Sequence, residues 1–338
     1  MKRLVSLWRL LRGPWEFWPF TWVYPIIYLR YWLWVLRFGR LDWFSSVNPG
    51  MVYGGLFGYD KSDILQRLPQ IWVPEFERVE GPQTRTEVEV LLLRRGFSFP
   101  LIVKPEVGER GIGVQLVRTL DALVEVLERI QRPHLVQRFC PFEEEYGIFV
   151  IRHPGEERFR VESVCGKRFM EVEGDGVHTV EALLTADARN FRYLDRLDAT
   201  ELAYVPAAGA RHRCQPIGNH NRGTVFLDYR DRMSPALVEQ MNFLLKDFDG
   251  FHFGRFDLRA ASWESLVEGR DFCIIELNGA ASEPTHIYSP GFSFWEAQRT
   301  LGRYWSLMAR IARQNGPAPH RPSSQFWADF KAYRRQVR

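Results

Sequence analysis

Cysteine is scarce, with four thiols at positions 140, 165, 214 and 273 of 338 residues. They lack zinc-ligand spacing and are too few to frame a chain of this length with disulfides, so they read as reduced thiols in a cytosolic compartment. No paired-cysteine motif and no Gly-x-Ser-x-Gly elbow is present, which removes the sequence warrant for dithiol or serine-nucleophile chemistry. No Gly-Lys-Ser/Thr opens a helix, so there is no Walker A loop. Zinc-finger, helix-turn-helix and RNA-recognition signatures are absent, and nucleic acid is not expected as a partner. There is no repeat and no low-complexity tract. What remains is a globular composition, 46% apolar and 25% charged, on a chain long enough for a large core.

Two short runs carry the densest chemistry, His252-Phe-Gly-Arg-Phe-Asp-Leu-Arg259 and Phe272-Cys-Ile-Ile-Glu-Leu-Asn278. Both alternate with period two and read as strands. Arg255, Asp257 and Arg259 share one face of the first; Glu276 and Asn278 share a face of the second, opposite Ile275 and Leu277. The intervening segment is short enough for antiparallel pairing, which brings two carboxylates and an amide together beside an arginine. Such an oxygen-rich set suits Mg²⁺ held jointly with substrate phosphates. A hairpin with a solvated polar face is the plainer alternative.

Upstream, Phe99-Pro-Leu-Ile-Val-Lys-Pro105 is an apolar strand ending near Lys104, followed by glycines at 108, 111 and 113 and a second strand at 114–117. A strand, a lysine and a flexible glycine loop can grip phosphate, because backbone N–H groups approach the oxygens while the lysine adds a point charge. By itself this pattern also describes an ordinary turn.

Taken in order, these pieces resemble the ATP-grasp superfamily over roughly residues 58–310. The matching motifs are Ile102-Val-Lys-Pro105 with its glycine loop, His134-Leu-Val-Gln-Arg-Phe139 followed by Glu143-Glu-Glu145, then Gly254-Arg-Phe-Asp257 and Ile274-Ile-Glu-Leu-Asn278. Glu173-Gly-Asp-Gly-Val-His-Thr-Val-Glu-Ala-Leu183 is similar to a segment of cyanophycin synthetases. Gly218-Asn-His-Asn-Arg-Gly-Thr224 is similar to a stretch of ribosomal-protein glutamate ligases, and the ensemble resembles D-alanine–D-alanine ligase type carboxylate–amine ligases. The resemblance implies an α+β ATP-grasp fold, two α/β lobes gripping nucleotide, with a reduced or absent preceding domain. It implies that Lys104 and Lys61 hold phosphates under a loop with Gly108, Arg110 and Gly111. Gln137 and Phe139 would border the adenine, although related chains often carry glutamate in place of Gln137. Glu145 or Glu144 would receive the ribose. Asp257, Glu276 and Asn278 would ligate two Mg²⁺, with Mn²⁺ as the alternative, while Arg255 and Arg222 steady the transferring phosphoryl group. Glu283, His286 and Tyr288 follow the metal strand where such ligases bind their acceptor.

The implied reaction is ATP-dependent activation of a carboxylate as an acylphosphate, displaced by an amine or thiol, with ADP and phosphate released. A kinase acting on a hydroxyl or phosphate would hold ATP with the same motifs, and a non-catalytic ATP-binding adaptor is a third reading. The acid and amine are not legible, and homodimerisation stays open.

Residues 15–44 hold thirteen aromatics, and seven of the twelve tryptophans occur by position 43. Trp and Tyr gather at lipid headgroup level. Phe17 to Leu36 is about 20 residues, the length of a crossing, but Arg30 interrupts it and Pro19 and Pro25 break its first half. Basic residues precede it, so crossing would export positive charge. A shallow, monotopic seat on an anionic cytoplasmic leaflet is therefore expected; packing on protein is the alternative. No small-residue cleavage site follows, so a signal peptide is not expected. Charge is distributed to match: residues 1–44 are net +5, 299–338 net +8 and 45–298 net −9 within a whole-chain +4. The expected organisation is an aromatic membrane-associating segment at 1–44, a linker and phosphate-lysine helix at 45–69, a small lobe at 70–135, a large lobe at 136–315 and a basic tail at 316–338. Lipid-linked as well as soluble acids and amines are candidate substrates.

Overall fold

Proline and glycine divide the aromatic N-terminal run. Pro19 and Pro25 precede or open two helices, α1 (Phe20–Val23) and α2 (Pro25–Phe38), and Gly39, at φ 70°, ends the second. This computed structural model describes residues 14–108, 111–187, 189–215, 218–319 and 321–337. At 14 residues α2 is about 21 Å long, and no helix among the described residues is long and apolar enough to cross a membrane. One side of the segment is buried. Val23 and Ile27 pack against Ile287, Ala297 and Leu301, and Arg30 lies over Gly302, where a Cβ would stand 2.8 Å from the guanidinium. The opposite side, including Phe20, Ile26, Leu29, Leu33 and Leu36, is exposed, Leu36 by 79%.

The aromatic segment therefore splits between two environments, and the expected linker is not one. Trp43, Phe44 and Val47 lie in the core with Phe149, Phe253 and Tyr304. Asn48, fully buried, donates to the carbonyls of Gly54 and Phe253 and accepts from the backbone N–H groups of His252 and Phe253. Three of these bonds fasten residues 45–55 to the edge of the large sheet, and the fourth closes the segment on itself at Gly54.

After α3 (Lys61–Gln66), the small lobe is a four-stranded antiparallel sheet. Its strands, β1 (Phe76–Val79), β2 (Leu101–Pro105), β3 (Gln115–Val117) and β4 (His134–Arg138), lie in the order β1-β4-β2-β3. Helices α4 (Arg85–Arg95) and α5 (Leu120–Leu127) pack on it through Val88, Leu91, Leu123 and Leu127. Thr84 and Glu87 form a capping box on α4, and Gly96 in the left-handed region closes it.

The large lobe holds a five-stranded antiparallel sheet. It comprises β5 (Glu144–Ile151), β6 (Arg160–Arg168), β9 (Val225–Asp228), β10 (Phe253–Ala260) and β11 (Phe272–Asn278), ordered β11-β10-β5-β6-β9. A separate two-stranded antiparallel sheet, β7 (Glu171–Glu173) with β8 (Arg211–Arg213), lies in the connection between β6 and β9. Helix α6 (Pro235–Leu244) and the 22-residue α7 (Phe294–Asn315) cover the sheet. Strand β5 is buried from Glu145 to Ile151, a central strand covered on both faces. The basic tail forms helix α8 (Ser323–Gln336), with Phe326, Phe330 and Tyr333 turned inward. Phe326 is buried, and Phe330 and Tyr333 pack near Phe57.

Candidate active site

Antiparallel pairing of β10 and β11 sets Arg255 opposite Asn278 and Asp257 opposite Glu276. A bulge follows: Leu258 pairs with Ile274, so Ile275 is passed over. Strict alternation predicted Ile275 and Leu277 on the apolar face; the bulge makes Ile274 and Leu277 the fully buried pair instead. The carbonyl of bulged Ile275 is free to face the other lobe, where it accepts from Lys104 Nζ at 3.4 Å.

Lys104 stands at the seam between the sheets, buried to 5% exposure. Burial pushes its pKa down from 10.5 to about 8; Glu276 opposes that, Lys61 reinforces it and Glu106 opposes it. Lys61 opens α3 and donates to Gly108 O at 2.8 Å, with Glu276 Oε1 3.9 Å away. Arg222 reaches from the 218–224 run to Gly111 O at 3.2 Å, joining the large lobe to the glycine loop. Arg110 lies outside the described residues.

Asp257 receives Lys167 Nζ at 2.8 Å, Arg255 Nη2 at 2.9 Å and Asn278 Nδ2 at 3.1 Å. Burial alone would raise its pKa, but Arg255 and Lys167 outweigh burial and hold the carboxyl at about 2. Two carboxylates directly opposite on neighbouring strands repel unless a cation lies between them. With Glu276 part-exposed and Asn278 Oδ1 taking a hydrogen bond from Tyr59, the donor set is carboxylate and amide oxygen. That chemistry fits a hard divalent cation.

Lys167 is the functional candidate that the sequence reading missed. It bridges Glu145 Oε1 at 2.7 Å and Asp257, and all three are buried. A lone lysine in the otherwise apolar run Val164-Cys-Gly-Lys167 was the available signal. The same ion pairs alter the roles of the two glutamates. Glu145 has its second oxygen on Arg259 Nε at 2.9 Å, so both oxygens are engaged within the fold rather than open to a sugar. Glu144 faces solvent, held by the Tyr146 hydroxyl. Gln137 is buried at the hinge and donates to Pro74 O, while Phe139 faces the Arg259 guanidinium at 5.7 Å.

The three residues expected at the acceptor end do not stay together. Arg255 Nη1 donates to Glu283 O at 3.0 Å, and the Tyr288 hydroxyl donates to Glu283 Oε2 at 2.8 Å, so this pair adjoins the centre. His286 points into the interior at 1% exposure, its Nδ1 2.6 Å from Ser163 Oγ. Burial, reinforced by Arg230, lowers its pKa to about 4. It lies on the inner side of the 283–288 segment, closed off from solvent.

Residues 63–154 match the family model described as the RimK-like ATP-grasp domain, a span that contains Lys104, the glycine loop and β4 but not β10 or β11. No curated protein sequence matches this chain. Among solved structures it is similar to a bifunctional glutathione synthetase from Pasteurella multocida, with 16% identity and a TM-score of 0.37 over 76% of this chain and 38% of that one. It is similar to a D-Ala:D-Ser ligase from Enterococcus faecalis, with 12% identity and TM-score 0.41 over 75% and 60%. A D-alanine–D-alanine ligase from Bacillus anthracis, solved in complex with ATP, gives 14% identity and TM-score 0.42 over 76% and 68%. The chain thus spans about four-tenths to two-thirds of these proteins' lengths. This protein carries an ATP-grasp region, matched in sequence from residue 63 to residue 154.

Proposed function

We propose that this protein is an ATP-dependent ligase that activates a carboxylate as an acylphosphate for attack by an amine, working at the cytoplasmic surface of a membrane. One observation carries the reading: Glu276, paired across the strands with Asp257, faces Lys61 and the buried Lys104 at the seam between two sheets. A buried ammonium is costly, and phosphate oxygens would compensate it. Lys61 and Arg222 hold the glycine loop at Gly108 and Gly111, and Lys104, on the strand before it, reaches Ile275 O; together they make a cation set suited to a polyphosphate.

The substrate carboxylate would attack the γ-phosphorus; the new O–P bond forms as the bond to the β-phosphate oxygen breaks, and ADP leaves. The amine then attacks the acyl carbon, phosphate departs with the C–O electron pair, and the nitrogen gives up a proton. Asp257, Glu276 and the Asn278 carbonyl would hold Mg²⁺, which when bound neutralises charge on the transferring phosphate. Arg255, fixed between Asp257 and Glu283 O, orients the phosphoryl group. Arg222, by tying down Gly111, keeps the loop over the centre and water away from the acylphosphate.

The open face of α1 and α2 supports the membrane seat. Its exposed Leu29, Leu33 and Leu36 are flanked by Arg37, and the basic chain ends suit an anionic leaflet.

Incubation with ATP and mixed acids and amines, followed by mass spectrometry, should detect an amide together with ADP and free phosphate. A phosphorylated hydroxyl without free phosphate would replace the ligase by a kinase. Glu276→Gln should abolish turnover; normal turnover would sink the site assignment. Flotation with phosphatidylglycerol vesicles should be lost in Leu29→Glu/Leu33→Glu, and retention there would refute the membrane seat.

A further inference from the structure

A series of contacts leads from the reaction centre to the exposed side of the N-terminal helices. Lys167 Nζ, bonded to Asp257, lies 5.9 Å from the Phe226 ring. Phe226 is 6.3 Å from Tyr288, whose hydroxyl meets that of Tyr24 at 2.6 Å. Tyr24 and Tyr288 both donate to Glu283 Oε2 at 2.8 Å. The Tyr24 ring stacks on Phe20 at 4.0 Å, and Phe20 opens onto the same exposed side as Leu29 and Leu36. Along this path the surroundings change from charged, to hydroxyl-bearing aromatic, to wholly apolar.

Glu283 sits where that change occurs. It is half-buried and, among the described residues, its carboxylate has no ion-pair partner; the Tyr24 and Tyr288 hydroxyls both donate to a single oxygen, Oε2. An anionic group so placed favours a cationic head, and the aromatic path beyond it favours an apolar chain. The N-terminal segment is also fixed to the large lobe on this side. Glu16 takes Arg189 at 2.8 and 2.9 Å and His220 at 2.8 Å, and the Trp15 ring lies 5.3 Å from Tyr288. The element with the exposed apolar face therefore also walls the acceptor end of the site.

We infer that the amine acceptor is an amphiphile. Its amino head lies at Glu283, beside Arg255, and its apolar chain runs past Tyr288 and Tyr24 over Phe20 to the bilayer. Tyr24 is a specificity-determining residue, because it sets the orientation of the Glu283 carboxylate from the membrane-facing element. The inference rests on the ligase reading and supplies the substrate class for it.

The test is calorimetric, on the full chain, with propylamine, octylamine and dodecylamine below their micellar concentrations and with dodecyl sulfate as a matched anion. Saturable amine binding should tighten about two- to fourfold per added methylene, as expected for burial of chain carbon. Dodecylamine should bind at least tenfold more tightly than dodecyl sulfate. Tyr24→Phe should weaken dodecylamine several-fold, and Glu283→Gln should erase the preference for amine over sulfate. Affinity independent of chain length, equal affinity for amine and sulfate, or full discrimination in both variants overturns the inference. ADP binding measured in the same samples keeps the two failures apart. Its absence refutes the ligase reading, whereas its presence without head and chain discrimination refutes only the amphiphile.

Discussion

Replacing Lys104 with methionine should stabilise the protein while abolishing its hold on nucleotide. The difference between 10.5 and about 8 in the Lys104 pKa corresponds, at about 1.4 kcal/mol per pH unit, to about 3 kcal/mol acting against the folded state at neutral pH. Methionine keeps the apolar stem and fills similar space. The substitution also leaves Glu276 with Lys61 at 3.9 Å as its cation, so the net gain should be nearer ~1–2 kcal/mol. The sign follows from proton counting. Between pH 8 and 10.5 the unfolded chain binds a proton that the folded chain has released, so this group makes stability rise through that window. Below about 8 the penalty is complete, and the variant lacks the rise. Urea denaturation at pH 7 and pH 10 measures both effects, and calorimetry with ADP measures the loss of binding. A variant that is destabilised at pH 7 and still binds ADP normally would refute the reasoning, because Lys104 would then be a structural cation.

Lys167→Met should cost about 3–5 kcal/mol in urea denaturation, since it leaves two buried carboxylates without their shared ammonium; a loss under 1 kcal/mol would show that the bridge is not needed. Asn48→Ala should cost about 2–3 kcal/mol, because the His252 and Phe253 N–H groups and the Phe253 carbonyl lose this partner, while the Gly54 carbonyl keeps the Ala280 N–H. Thermal melting checks it, and an unchanged midpoint would contradict the clamp. Acidification should destabilise the wild type between pH 6.5 and about 4, where the unfolded chain protonates a histidine that the fold keeps neutral at position 286. His286→Gln should flatten that part of the pH–stability curve, and an unaltered curve would place the acid sensitivity elsewhere.

The hairpin was legible because its signal is local. Alternation in 253–260 and 272–278 placed Arg255, Asp257, Glu276 and Asn278 on shared faces, and antiparallel pairing made them neighbours. The bulge at Ile275 was not legible, since it depends on the register that the whole sheet adopts. Lys167 was missed for a related reason: it lies on β6, separated from Asp257 by 90 residues, and only the order β10-β5-β6 brings the three charges together. Ser45–Asn48 looked like a linker because serine, asparagine and proline favour turns, yet the Asn48 amide uses that polarity to satisfy buried backbone.

The amino-acid sequence by itself determined the lysine strand, the glycine loop, the carboxylate hairpin and the breaking of the aromatic run at Pro19 and Pro25, because each depends on contacts between near neighbours or on backbone limits at one residue. Tertiary structure alone decided which charges pair with one another, which side of the aromatic helix meets protein, and that Tyr24 reaches Glu283 across 259 residues of chain. Those outcomes follow from burial and register, and both are properties of the assembled sheets rather than of any segment.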